Sequence, residues 1–470
     1  MKTYIVHLTI ILSLTVNIFS QVEFTTHIIT PGDDGSTTDG AAYVYAIDVD
    51  GDGDMDILSA SGFDDKVAWY ENDGDKNFNQ HIITNAANGA VWLYAIDMDG
   101  DGDIDVLSAS VFDDTIAWYE NDGNQNFTTH IISSGMPTSG LFAFSVYAID
   151  VEGDGDIDVF SGSWDKNEIK WHENDGNQNF TTHIIANQGQ RSSVYAIDVD
   201  GDGDNDALSA SQFNSTVAWY EYDNQNFTTH VITNTASHAR TVKAIDLDED
   251  GDIDVLAGCW QDNIEWYEND GDQNFTIHTL PNSTYGSGSI DVADVDNDGD
   301  LDILSTIADL NMVAWLENDG DENFTLHVIT TNARFADTVY GADVDGDGDI
   351  DVLSAARDGD EIAWYENHLI NPPTSISNFP AIPLQFSLHQ NYPNPFNPAT
   401  TIAFTLSQPG FVSLTIYNVS GEKVTTLISE SLAAGSYQYN WNAGGMASGV
   451  YFYQLQTDKF TQTKKLVLLR

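Results

Sequence analysis

The chain has 470 residues, enough for more than one domain at ~100–200 residues each. Its 15 Lys+Arg stand against 74 Asp+Glu, a formal charge of −59 that excludes a nucleic-acid partner, because a phosphate backbone needs a basic face to release its counterions. Wholesale disorder is excluded too: 11 Trp, 20 Tyr and 22 Phe supply the apolar bulk that disordered acidic chains lack.

Residues 1–20 read as a signal peptide. Lys2 gives the positive start, residues 5–18 are mostly apolar, and Ser20 is a small residue before Gln21. That apolar run falls short of the ~20 residues that span a bilayer, and no other segment is as apolar, so the mature chain is expected to have no transmembrane segment. The single Cys259 cannot form an internal disulfide and is expected to be a small buried thiol on a strand.

Seven repeats follow. The pattern D-x-D-x-D-G-D-x-D begins at Asp48, Asp97, Asp150, Asp198, Asp246, Asp294 and Asp343, at intervals of 48 to 53 residues, with Glu152 the one replacement. Each copy lies between two apolar segments (44–47 and 57–60 in the first). A third segment carries Trp69, Trp118, Trp171, Trp219, Trp266, Trp315 or Trp364, and a fourth reads Asn-Phe-x-x-His, as at residues 126–130. All are short, rich in β-branched and aromatic residues and bounded by Asp, Asn and Gly, which predicts four strands per repeat. Four strands repeated seven times predict an all-β, seven-bladed β-propeller. The fourth strand occurs before the first Asp loop, at Phe24, and is missing after Trp364. A ring explains the offset: residues 24–30 complete the seventh blade beside the Trp364 strand and remove an exposed edge.

Carboxylates at positions 1, 3, 5 and 9, with Gly at 6 for the sharp turn, suit a hard cation such as Ca²⁺, which takes six to eight oxygens. About seven sites are expected. The first uses Asp48, Asp50, Asp52 and Asp56, with Asp54 giving its backbone carbonyl. The others comprise Asp97, Asp99, Asp101, Asp103 and Asp105; Asp150, Glu152, Asp154, Asp156 and Asp158; Asp198, Asp200, Asp202, Asp204 and Asp206; Asp246, Asp248, Asp250, Asp252 and Asp254; Asp294, Asp296, Asp298, Asp300 and Asp302; and Asp343, Asp345, Asp347, Asp349 and Asp351. Without a cation, carboxylates ~4 Å apart repel by about 4 kcal/mol per pair at an effective dielectric of ~20. An EF-hand is excluded because position 12 is Ser59, Ser108, Ser161, Ser209, Ala257, Ser305 or Ser354 instead of Glu. The Asp loops in ~48-residue repeats resemble the FG-GAP (VCBS-type) repeats of integrin α-subunit propellers and their bacterial relatives, over about residues 22–367. The resemblance implies calcium at each loop. The longer Glu152 alters the third site, and literal Phe-Gly/Gly-Ala-Pro wording is absent.

In an antiparallel meander the Asp loops share one face with the Asn-Asp-Gly turns, and the other two turns of each blade lie opposite. Those opposite turns carry Phe63, Phe112, Trp164, Phe213, Trp260 and Arg357, joined from the fourth-to-first loops by Trp92, Phe142, Arg191, His238, Arg240 and Arg334. Rings with a few polar groups can hold a sugar or peptide. The phenylalanines are expected chiefly to cap blade packing, and Trp92, Trp164, Trp260, Arg191, Arg240 and Arg357 are the candidate ligand residues. No catalytic constellation is visible, and seven of the 12 His recur in the fourth strand, which points to a structural role. The expected function is a secreted or surface module binding glycan or protein. A polysaccharide lyase or hydrolase on a calcium propeller and a structural surface-layer component are the alternatives.

Residues 371–385 form a Pro/Ser-rich linker, and from 386 three acids meet five bases, so a second domain begins. Short strands at 401–406, 411–417, 423–428, 435–441, 449–457 and 460–469 predict a small immunoglobulin-like β-sandwich. The run LHQNYPNPFNPATTI at 388–402, with YNVSG at 417–421, GVY at 449–451 and Lys464-Lys465, resembles the type A C-terminal sorting domain of the type IX secretion system. That resemblance implies partnership with the type IX machinery through residues 386–470. It also implies delivery to the outer surface of a Gram-negative, Bacteroidota-type cell and removal of the domain.

Overall fold

The computed structural model describes residues 21–30, 39–135, 143–165, 168–187, 191–223, 225–280 and 286–370, then 387–388, 394, 396, 399–406, 410–419, 423–432, 435–443, 446, 448–457 and 460–468. The expected signal peptide (1–20) and linker (371–385) lie outside them. The chain divides into two compact units, Met1–Pro373 and Thr374–Arg470.

The first unit holds seven four-stranded antiparallel sheets among the described residues, one per repeat. Blade 1 consists of Ala41–Ile47, Asp56–Ser61, Lys66–Asn72 and Phe78–Thr84. The first strands of the other blades are Ala90–Ile96, Ala143–Ile149, Ser192–Ile197, Ala239–Ile245, Ser287–Ala293 and Ala336–Ala342. These first strands touch one another in succession around the ring, and Ala41–Ile47 meets Ala336–Ala342 to close it. Second strands such as Asp105–Ser110 are buried at every residue, because they have a strand on each side and a blade on each face. This is why they read as unbroken apolar runs. Fourth strands such as Phe78–Thr84 are edges, and their burial is broken accordingly.

Blade 7 is completed by the chain's beginning. Gln21–Thr30 pairs antiparallel with Glu361–Ile370, with Phe24 opposite Asn367 and His27 opposite Trp364. Ile362 N–H donates to Thr30 Oγ1 (2.9 Å), and Thr338 Oγ1–H donates to the Ala42 carbonyl of blade 1 (2.6 Å). The expected ring closure is therefore observed.

Apolar clusters fill the spaces between neighbouring blades; one joins Ala41 and Val44 to Val344 and Leu353 across the closure. Trp69 and its six counterparts are buried. Each is stacked by the fourth-strand His of its own blade at centroid distances of 4.4–4.9 Å. That His also lies 2.5–2.7 Å from a third-strand Glu, as in His81–Glu71. The recurrent histidines thus act as lids over the tryptophans. Cys259 is buried at the end of its strand, and burial raises its thiol pKa.

One equivalent position in each first strand supplies Tyr45, Tyr94, Tyr147, Tyr195, Lys243, Asp291 and Tyr340. Tyr94–Tyr147, Tyr147–Tyr195 and Tyr45–Tyr340 centroids lie 4.5, 4.8 and 4.7 Å apart, and Lys243 Nζ is 2.9 Å from Asp291. Together they form a belt across the axial channel.

In the second unit, Ser387–Leu388, Ala399–Leu406 and Gly435–Asn442 form one sheet, and Gly410–Asn418, Lys423–Leu432, Gly449–Gln456 and Thr461–Leu468 form the other. Ile402, Phe404, Leu414, Ile416, Tyr453 and Leu455 belong to a single core, as the expected sandwich requires. The Asn-Pro-Phe segment is pinned to the last strand: Val467 N–H donates to Asn394 Oδ1 (2.9 Å), and Phe396 N–H donates to the Val467 carbonyl (2.9 Å).

Candidate functional site

The Asp loops close by the same bonds in every blade. The position-1 carboxylate accepts the position-6 N–H at 2.9–3.1 Å, from Asp48–Gly53 to Asp343–Gly348. The position-5 carboxylate accepts the position-7 N–H at 3.0 Å. The position-6 glycines have φ from 98° to 106°, a backbone region that side chains disfavour, so the loop requires Gly there. Position 4 has a milder positive φ and accepts Glu249 (59°) and Asn297 (57°).

These turns bring carboxylate oxygens within 4.8 Å of one another. The groups among the described residues include Asp48, Asp50 and Asp56; Asp97, Asp99 and Asp101; Asp198, Asp200 and Asp206; Asp246, Asp248 and Asp250; and Asp294, Asp296 and Asp302. Between them they use positions 1, 3, 5 and 9. The Oδ1 atoms of Asp246 and Asp343 are buried without a hydrogen-bond partner among the described residues. An all-oxygen donor set with such orphaned oxygens fits a hard divalent cation. Position-7 side chains point elsewhere: a Cβ on Gly74, Gly123, Gly176, Gly271 or Gly320 of the Asn-Asp-Gly turns would fall 2.4–2.7 Å from their Oδ2 atoms. In those blades only the position-7 carbonyl is left for an ion.

Position 9 has a second task. Asp56 accepts the N–H groups of Val49 (2.9 Å) and Asn72 (2.8 Å), tying the loop to the end of the third strand. All seven position-9 carboxylates are buried. Burial raises their pKa values, from about 6 for Asp105 to about 9 for Asp302, so in the metal-free loop these carboxyls hold a proton more tightly than an exposed aspartate does. A bound cation would supply the opposing charge.

The Asn after the Trp-x-Glu motif was not singled out from the sequence, although its recurrence was visible. Asn121 Nδ2 donates to Ile104 O in its own loop (3.2 Å) and Val49 O in the preceding blade (3.3 Å). Asn72 and Asn367 bridge blades likewise. Tyr222 replaces this Asn in blade 4, and Asn205 restores the bridge by donating to Asp150 O at 2.7 Å. Two loops depart from the pattern. In loop 7, Lys76 places its ammonium 2.5 Å from Asp345, a built-in cation at position 3. In loop 3, burial and the adjacent Glu152 raise Asp158 to about 8.

The opposite ends of the first strands surround a cavity of about 200 Å³ at the channel mouth. Trp92, Trp164, Arg191, Arg240 and Arg357 line it, with Tyr43, Phe63, Phe112, Phe144 and Asp337. Trp260 does not line it; its ring lies 5.0 Å from the Arg240 guanidinium. His238, Phe213 and Arg334 are also outside the lining, and Phe142 lies outside the described residues. Trp92 and Arg240 sit in strands Ala90–Ile96 and Ala239–Ile245, not in the expected loops. The pairing register skips Val91 and Arg240, as it skips Ala42, Phe144 and Asp337 in other blades. Bulges of this kind re-aim a side chain, and here all five skipped residues line the mouth. Phe63 and Phe112 lie over Gly40 and Gly89, where a Cβ would come within 2.6 and 2.5 Å of their rings. They nevertheless remain 62% and 55% exposed, so they cap the turns and also wall the cavity.

Asp337 joins two arginines: its Oδ1 is 2.7 Å from Arg240 Nη2 and its Oδ2 is 3.2 Å from Arg357 Nη1. The sequence signal for Asp337 was an acid at a position where blades 1 and 2 have Ala42 and Val91. The Arg191 guanidinium stacks on Trp164 (4.2 Å) and faces Phe144 (5.1 Å).

No curated protein matches the chain by sequence. Among solved structures, BBS1N in complex with ARL6DN is similar at TM-score 0.50 and 12% identity, over 74% of this chain and 99% of that one. An Agrocybe aegerita lectin described as recognising non-reducing terminal N-acetylglucosamine aligns at TM-score 0.48 and 16% identity, over 74% and 99%. PorZ, a type IX secretion surface component of Porphyromonas gingivalis, aligns at TM-score 0.41 and 14% identity, over 88% and 58%. The first of these supports the fold alone. The model of the secretion system C-terminal sorting domain matches residues 390–469, which marks a secreted or cell-surface protein. The FG-GAP-like repeat model matches residues 48–108, 97–161, 150–209, 198–257 and 246–305. Those matches run through more than half of the chain, which therefore belongs to the FG-GAP-like repeat family and ends in a type IX secretion sorting domain.

Proposed function

We propose that the propeller is a surface-delivered binding module that holds a glycan at the channel mouth, with calcium in the Asp loops as structural clasps on the opposite face. The observation that carries this reading is the mouth cavity itself. It is concave, walled by aromatic rings and edged by a few charged groups, the composition typical of ligand sites. The calcium reading rests on the oxygen clusters at positions 1, 3, 5 and 9. Cations there neutralise carboxylates at the first-to-second strand turns, far along each strand from the mouth.

Binding is favoured over glycoside hydrolysis. Glycoside hydrolysis uses a pair of carboxyl groups, and the cavity lining includes one carboxylate, Asp337, with both oxygens engaged by arginine. The test is a glycan array probed with the calcium-loaded protein and its Trp164→Ala variant. Wild-type binding that falls at least tenfold in the variant is expected. Glycan binding undiminished in the variant would move the site elsewhere, and no glycan binding by the wild type would reject the reading.

A further inference from the structure

The chain has only 15 Lys+Arg against 74 Asp+Glu, yet three arginines converge on the mouth around one carboxylate. Arg240 and Arg357 share Asp337. Arg191 has no carboxylate within 4.0 Å among the described residues, and its Nε is buried without a hydrogen-bond partner. A guanidinium lying on an aromatic face still presents its planar N–H donors at the edge, the geometry that matches carboxylate and sulfate oxygens.

A second observation concerns the backbone. The residue just before the first strand has positive φ in each described blade, and Gly40 (72°), Gly89 (73°) and Gly286 (103°) fill it in three of them. In blades 4, 5 and 7 the position is Arg191 (55°), His238 (58°) and Phe335 (53°), and of these only Arg191 lines the cavity. Blade 4 also lacks the bulge of its neighbours, since Ser192 and Ser193 pair in unbroken register with Ser211 and Ala210. Burial and the two neighbouring arginines push Arg191 down to about 9, a surplus of positive charge that an anion relieves.

We propose that the mouth recognises an anionic terminal sugar, bearing a carboxylate or a sulfate ester, with Arg191 as the principal contact to the anion and Trp92 offering a face to the sugar ring. The inference rests on the glycan-binding reading above. The cavity of about 200 Å³ is smaller than the ~300–1,000 Å³ that encloses a drug-sized ligand, so it takes a single end group. Trp92 packs against Tyr43 at 4.8 Å, a paired aromatic wall for a C–H face.

The test compares the calcium-loaded full chain with Arg191→Gly, the residue that three equivalent positions already tolerate, and with Arg357→Gln. Probes are matched neutral, carboxylated and sulfated oligosaccharides and a peptide ending in Asp, each at low and high salt. The account expects at least tenfold tighter binding of a charged oligosaccharide than of its neutral match, weakened by salt. It expects that preference to vanish in Arg191→Gly at unchanged melting temperature. The carboxylated and sulfated arms distinguish which anion is read. Equal binding of neutral and charged oligosaccharides, or a preference that survives both variants, overturns the anionic proposal and leaves glycan binding standing. Binding of the peptide alone, or of no probe, overturns both readings.

Discussion

His172 shows how one residue sets a local energetic condition. Its position holds Tyr70, Tyr119, Tyr220, Tyr267, Tyr365 or Leu316 in the other blades. His172 is buried, with Nε2 2.9 Å from Ser161 Oγ and Nδ1 2.9 Å from Thr182 Oγ1. Burial, with the nearby Lys170, lowers its pKa from the ordinary 6.5 to about 3. The folded state therefore binds this proton less readily than the unfolded chain. Its contribution is complete above about pH 6.5 and is lost as pH falls toward about 3. His172→Tyr, whose hydroxyl can meet Ser161 as Tyr220 meets Ser209 at 2.8 Å, should lose less melting temperature between pH 7 and pH 4 than wild type does. Parallel pH curves for the two proteins by calorimetry would count against this assignment.

At the scale of elements, the closing strand carries the largest consequence. Gln21–Thr30 supplies the fourth strand of blade 7, and Val22 and Phe24 pack against the cluster holding Trp315 and Tyr365. Removing residues 24–30 exposes that edge and opens the ring, so the whole propeller should unfold at lower denaturant, with amide protection lost in blades 1 and 7 first. A truncated chain with an unchanged urea midpoint would contradict the closure. This strand was legible in the sequence because Phe24 and His27 repeat the Phe-x-x-His of the fourth-strand signature, with Glu23 in place of Asn, one strand out of phase. The bulges were not legible. Which residue a register skips depends on pairing across two strands, so Arg240 and Trp92 read as loop residues although both lie in first strands. The tyrosine belt was hidden for a related reason. Tyr45, Tyr94 and Tyr147 stand in apolar runs that look like ordinary core, and only ring closure turns that position toward a shared axis.

At the scale of the molecule, charge is divided between two ends of the same strands. Five carboxyl residues per loop crowd one face, while three of the five arginines, Arg191, Arg240 and Arg357, line the mouth on the other. The first arrangement is costly without cations: position-9 carboxyls rise to about 6–9, and oxygens lie within 4.8 Å of one another. Calcium that binds the folded loops and not the unfolded chain stabilises by about 2.7 kcal/mol per site at a hundredfold excess over its Kd. Several such sites acting on one ring should produce a large shift, with loop 7 the weakest because Lys76 already occupies Asp345. The decisive measurement is calorimetric unfolding of the protein in millimolar calcium and in EGTA. The account predicts a sharply lower melting temperature in EGTA that returns on adding calcium, and identical melting in the two buffers would contradict it.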